Sequence, residues 1–196
     1  MKKDYSEENV HEFMFRVLEY FGSLSEELKS AIIDMTDIKR FRKNEVMAGL
    51  GTVCANCYFS YSGYVKGYKM VDDKQLVQWF MGPGKIIIRP ESFHTQALSN
   101  GWIKAIEKVI AVELTYGNFT WLVDKFPEFK TINDKAVLYY YTLAEEREEM
   151  KGKNPEVNLE KLIRDNPGIL EIASEEDIAS YLGIDRKTLF RIKKMR

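Results

Sequence analysis

The sequence predicts an α+β protein: an antiparallel barrel or jelly roll with flanking helices, joined by a long helix to a small all-helical C-terminal unit. Three observations carry this. The middle of the chain is a series of short runs rich in aromatic and β-branched residues, punctuated by turn signals, which gives seven or eight strands. Residues 131–151 repeat apolar side chains at steps of four and three. The last two dozen residues hold two short amphipathic helices separated by a glycine.

In order along the chain, residues 8–21 place Phe13, Val17, Leu18 and Tyr20 or Phe21 at helical spacing, with Gly22 as the stop. Ser25 is positioned to cap a second helix through Leu28, Ile32, Ile33 and Met35. Alternation then begins, with turns expected at Lys43 and Asn44, at Gly63, at Asp72 and Asp73, at residues 82–85, and at Glu107 and Lys108. In the long helix Ile132, Ala136, Tyr139, Leu143 and Met150 form a heptad seam in which Glu146 fills one step. Gly152 to Pro155 reads as a hinge, so the units are expected at 1–152 and 153–196, the second opening with a further helix.

In the C-terminal unit, Ser174 with Asp177 starts one helix, and Ile178, Ala179 and Leu182 form its apolar face. Gly183 supplies the turn, and Asp185 caps a second helix. There Leu189 and Ile192 pack inward while Arg186, Lys187 and Arg191 face out. Residues 183–196 hold six basic side chains against the single acid Asp185, whereas 171–182 carry four acids and no base. Only the second helix therefore suits phosphates. An arginine fork near the start of such a helix can donate two hydrogen bonds to guanine O6 and N7, which makes Arg186 and Arg191 the leading base readers.

This stretch, DIASYLGIDRKTLFRIKK, resembles the cyclic-AMP receptor protein/Fnr family of transcription regulators, in particular its short variants. The resemblance implies a cyclic-nucleotide-binding-type β-roll, a long helix that pairs with its twofold mate, and DNA contacts at Arg186, Thr188 and Arg191, beside which Lys187 and Lys194 join the basic set. It also implies RNA polymerase as a further partner. Lys187 and Phe190 stand where the family often has a Glu and a small residue, so the preferred half-site is expected to differ. The effector cassette departs as well. Glu91 and Ser92 occupy the expected segment, but Ser99 and Asn100 stand where the family has an arginine followed by a small residue. A cyclic phosphate would lose a charge-assisted pair, worth about 1.5 to 3 kcal/mol per hydrogen bond. Cyclic AMP is therefore not the expected ligand, no cofactor is expected, and the effector, if one acts, is an unidentified small molecule.

Composition excludes several classes. A net charge of −1 across 196 residues does not suit a protein that coats nucleic acid, so DNA affinity must come from the local basic patch. No apolar run is long enough for a membrane span, and the N-terminal residues lack a signal-peptide core, so a cytoplasmic protein without a membrane partner is expected. Cys54 and Cys57 form CxxC, but a closed metal site needs four ligands and the chain adds only His11 and His94; no metal or redox role is expected. No nucleotide loop or catalytic constellation stands out, so the chain is not expected to be an enzyme. The expected function is sequence-specific, dimeric DNA binding. The rival is a ligand-binding or protein-interaction module that keeps the architecture without reading DNA.

Overall fold

The computed structural model describes residues 6–150 and 152–194. Two helices lead the chain, α1 (Glu7–Leu18) and α2 (Glu26–Met35). Ser6 and Ser25 cap them, each accepting a hydrogen bond from the backbone N–H three residues on. Helix α1 stops at Leu18, three residues before the expected end, so that Phe21 turns into the core while Tyr20 stays exposed.

Eight strands follow: β1 (Thr36–Phe41), β2 (Val46–Ala48), β3 (Asn56–Ser62), β4 (Val65–Val71), β5 (Lys74–Met81), β6 (Ile86–Ile87), β7 (Trp102–Ala105) and β8 (Val109–Thr115), with helix α3 (Pro90–Thr95) between β6 and β7. They form two four-stranded antiparallel sheets, ordered β1-β8-β3-β6 and β2-β7-β4-β5, the faced sheets of a roll. The hairpin turn at Asp72 and Asp73 has both residues at positive φ, 47° and 58°, the backbone that matches strand twist in a two-residue loop.

Gly63 joins β3 to β4 at φ 83°, and an added Cβ would strike the Lys108 carbonyl. Gly63→Ala is expected to destabilise the fold by about 1–3 kcal/mol, through strain and overpacking together, read as a lower midpoint in urea unfolding.

Helix α4 (Tyr116–Lys125) has no counterpart among the expected elements; Thr115 caps it. Helix α5 (Pro127–Met150) begins before the expected start at Thr131, and the expected last residue, Lys151, lies outside the described residues. One core joins the first sheet to α1, α2, α4 and α5. Gly22 allows α5 to come close, since a Cβ there would lie 2.9 Å from Ile132 Cγ1. Tyr140 receives the Ile86 N–H at 2.8 Å, and burial pushes its hydroxyl pKa up to about 12. Among the described residues four further helices follow: α6 (Pro155–Asp165), α7 (Ile169–Ile172), α8 (Glu175–Leu182) and α9 (Arg186–Lys194).

Candidate nucleic-acid interface

The α8–α9 pair is built by local chemistry. The Ser174 side chain accepts the Asp177 N–H and starts α8. At its end Gly183 takes a left-handed conformation, φ 69°, and the Gly183 and Ile184 N–H groups bond back to Ser180 and Ala179 carbonyls. Asp185 then caps α9 twice, accepting the Thr188 backbone N–H at 2.9 Å and the Thr188 hydroxyl at 2.8 Å. Ile178, Ala179, Leu189 and Ile192 are buried, with Leu159, Leu162 and Ile169 beneath them. This core fixes the rotation of α9.

The same hydrogen bonds hold the Asp185 carboxyl below its ordinary value of 3.8, the backbone Thr188 donor first and its hydroxyl second. A carboxyl whose folded pKa is depressed stabilises above its unfolded pKa and loses that contribution as pH falls through the folded one. Acid loss of α9 is therefore expected below about pH 4. Asp185→Asn, which keeps an acceptor but cannot titrate, is expected to flatten that limb in a helix-content titration.

On the outer face of α9, Arg186, Lys187, Phe190, Arg191 and Lys194 are exposed. Arg186 pairs with Glu176 at 2.8 Å and Glu175 at 3.7 Å, and Lys193 reaches Glu175 at 3.0 Å, so two bases of α9 lean back on the acidic start of α8. Lys187 and Arg191 project without such a tie among the described residues. Thr188, expected as a DNA contact, has its hydroxyl committed to the Asp185 cap in the free chain. Arg196 lies outside the described residues.

The unit is docked on the second sheet of its own chain. Lys66 on β4 and Asp177 on α8 form an ion pair whose side chains are 8% and 13% exposed. The Ser180 hydroxyl accepts the Val77 N–H and donates to the Gln75 carbonyl, completing the edge of β5. Tyr64 donates to the Pro167 carbonyl at 3.0 Å, and Phe80 packs on Tyr181. Arg147 of α5 lies 4.7 Å over the Tyr181 ring and donates to the Val77 carbonyl, so long helix, roll and α8 meet at one guanidinium.

The expected effector residues do not present free polar groups together. Glu91 and Asn100 are exposed. Ser92 and Ser99 are buried and spent on backbone: Ser92 accepts the Cys54 N–H and donates to Ala97, and Ser99 bonds both polar backbone groups of Gly101. The buried cation of this region is Arg89, the residue preceding α3. It is buried, donates to Gln78, Tyr68 and Trp102 oxygens, and leaves its Nε without a partner among the described residues. Burial lowers its pKa. Its guanidinium abuts Gly101, beside the position where the cassette arginine is missing.

The thiols at Cys54 and Cys57 are free, and burial pushes both pKa values up, that of Cys57 to about 12. Such thiols are poor nucleophiles and poor ligands. Among the described residues no cluster of three or more His, Cys, Asp or Glu is placed to hold a metal, and no helix is long and apolar enough to cross a membrane.

The first half of the heptad seam packs within its own chain. Ile132 and Ala136 are buried in the chain's own core, and Tyr139 packs there against Phe21. Leu143 and Met150 are partly buried. The apolar side chains that α5 leaves in the open are Val137, Leu138 and Tyr141, at 51%, 64% and 60% exposure.

No family model matches the sequence, and no curated protein does. Solved structures do. FixK2 from Bradyrhizobium japonicum aligns over 82% of this chain and 83% of its own at 17% identity, with a TM-score of 0.69. A CooA mutant from Carboxydothermus hydrogenoformans aligns over 93% and 84% at 20% identity, TM-score 0.64. The catabolite activator protein of Thermus thermophilus aligns over 91% and 85% at 17% identity, TM-score 0.56. The chain shares the fold of these proteins over nearly its whole length.

Proposed function

We propose that this chain is a sequence-specific DNA-binding transcription regulator of the Crp/Fnr type, acting as a homodimer on a site with two half-sites. The observation that carries this reading is the exposed stripe Arg186, Lys187, Arg191 and Lys194 on a helix whose rotation is fixed by a buried core and a double cap. Arg186 and Arg191 read base edges, while Lys187 and Lys194 meet phosphates. Thr188 joins them once the Asp185 cap shares its hydroxyl. The DNA unit runs from 153 to 196, and the roll with α5 makes up the rest. The protein works in the cytoplasm, with RNA polymerase as the partner that reads out its occupancy, and it is not an enzyme.

The twofold mate packs against Val137, Leu138 and Tyr141, and twofold symmetry places two recognition helices about 34 Å apart on one face of the duplex. Leu138→Glu with Tyr141→Glu is expected to give a monomer in sedimentation velocity without lowering the unfolding midpoint, since both side chains are more than half exposed.

An effector, if bound, acts through the cassette. Arg89 ties α3 to Tyr68 on β4 and Gln78 on β5, the two strands that hold α8 through Lys66 and Val77. A small molecule that displaced this guanidinium would bias the docking of α8 and with it the spacing of the recognition helices. Cyclic AMP is not the favoured ligand, because Ser99 offers no guanidinium.

The test is the salt dependence of duplex binding. Release of counterions from about four to eight phosphates per dimer gives a slope between about −4 and −7 in log K against log salt. A slope near zero overturns DNA recognition. The rival reading, an interaction module without DNA reading, draws its support from exposed Phe190 and is the outcome left if no duplex binds.

A further inference from the structure

The outer stripe of α9 is not purely cationic. Phe190 stands in its middle, 53% exposed, with Lys187 three residues before it, Arg191 beside it and Lys194 one turn beyond. The ammonium of Lys194 lies 4.7 Å from the ring centroid, a cation–π contact that keeps the ring on this face. The helix cannot roll to hide it. Leu189 and Ile192 on the opposite face are 0% and 5% exposed, and a rotation that buried Phe190 would expose them. The chain therefore holds an apolar ring in the centre of a basic surface.

That combination has a specific complement in DNA. The cations suit the phosphates on either side of the major groove, and the floor of the groove carries one apolar group, the C5-methyl of thymine. A ring flanked by phosphate-seeking side chains is carried to that floor. We propose that Phe190 is a specificity-determining residue that recognises thymine by packing on its methyl group, at one position in each half-site next to the base pair read by Arg191. This rests on the DNA-binding reading above and adds to it a base, a position and a contact. The departure from the small residue found here in the resembling family then becomes a gain of selectivity.

Deoxyuridine provides the test, since it removes only the methyl and leaves base pairing intact. The probe is the duplex recovered by selection from a random pool, resynthesised with uracil replacing each thymine in turn. Removing one buried methyl is expected to weaken native binding about fourfold at one thymine per half-site, on the scale of transfer free energies for a single carbon. Phe190→Ala is expected to fold normally, as a surface change, and to bind the thymine and uracil duplexes equally. Native binding that persists but ignores every uracil substitution overturns the thymine contact while leaving DNA recognition standing, and would assign the ring to a protein partner. Failure of the native chain to bind any duplex removes the DNA reading and this inference with it.

Discussion

Replacing Asp177 with Ala is expected to destabilise the protein by about 3 kcal/mol or more, because it strands the Lys66 ammonium in a buried position without its counter-charge. Lys66 would keep the Gln75 side-chain oxygen at 3.0 Å and the Tyr68 ring at 5.2 Å, partial compensation that places the loss at the lower end of the range for broken buried pairs. The pair itself is not a strong net source of stability. Removing both charges, as Lys66→Met with Asp177→Leu, exchanges desolvated ions for apolar packing and is expected to be near neutral. The two variants together form a diagnostic, read by urea unfolding with limited proteolysis around residues 152–154 as a second readout. A single-variant loss under about 1 kcal/mol would mean that α8 is not seated on the roll in solution.

The second large effect concerns α9 and the DNA reading proposed for it. Arg186→Ala with Arg191→Ala is expected to reduce binding to the preferred duplex at least about thirtyfold, since each bidentate contact to guanine discriminates by about 1–3 kcal/mol. Site preference should vanish while weak, salt-sensitive binding to any duplex persists. Lys187→Ala and Lys194→Ala should instead weaken binding to all sequences alike and reduce the salt slope. The ties of Arg186 to Glu176 and Glu175 do not lock it. These are exposed pairs, worth about 1 kcal/mol at most, so Glu176→Ala is expected to change affinity little. Each of these variants alters a surface side chain, so unfolding midpoints should stay close to the native one, which separates recognition from folding.

The parts legible in the sequence are those whose causes are local. Ser174, Gly183 and Asp185 announce the two C-terminal helices because caps and a left-handed turn act within four residues. The Asp72–Asp73 and Asn44 turns are local in the same sense, all at positive φ. The strands show as near-continuous aromatic and β-branched runs because the inner ones are buried on both faces, between the sheets on one side and under helices on the other. What failed to show depends on distance along the chain. The heptad spacing of α5 reports a face and not its neighbour, and the neighbour of Ile132 and Ala136 is the chain's own core. Helix α4 was hidden because Phe119, Trp121 and Val123 mix aromatic and β-branched residues within a short segment, where tertiary packing overrides propensity. The Lys66–Asp177 pair spans 111 residues, and Arg89 meets oxygens from three strands; neither has a local signature. As a result the exposed basic face of α9 could be named from sequence, whereas the surface on which its unit rests could not.

The most direct test of the central claim is selection of bound duplexes from a random pool at moderate salt, run in parallel with the native chain and with the Arg186→Ala, Arg191→Ala variant. The account predicts a motif of two inverted half-sites, centred about ten base pairs apart, recovered by the native protein alone. Equal enrichment by both proteins, or no motif from the native chain under any salt, would contradict it.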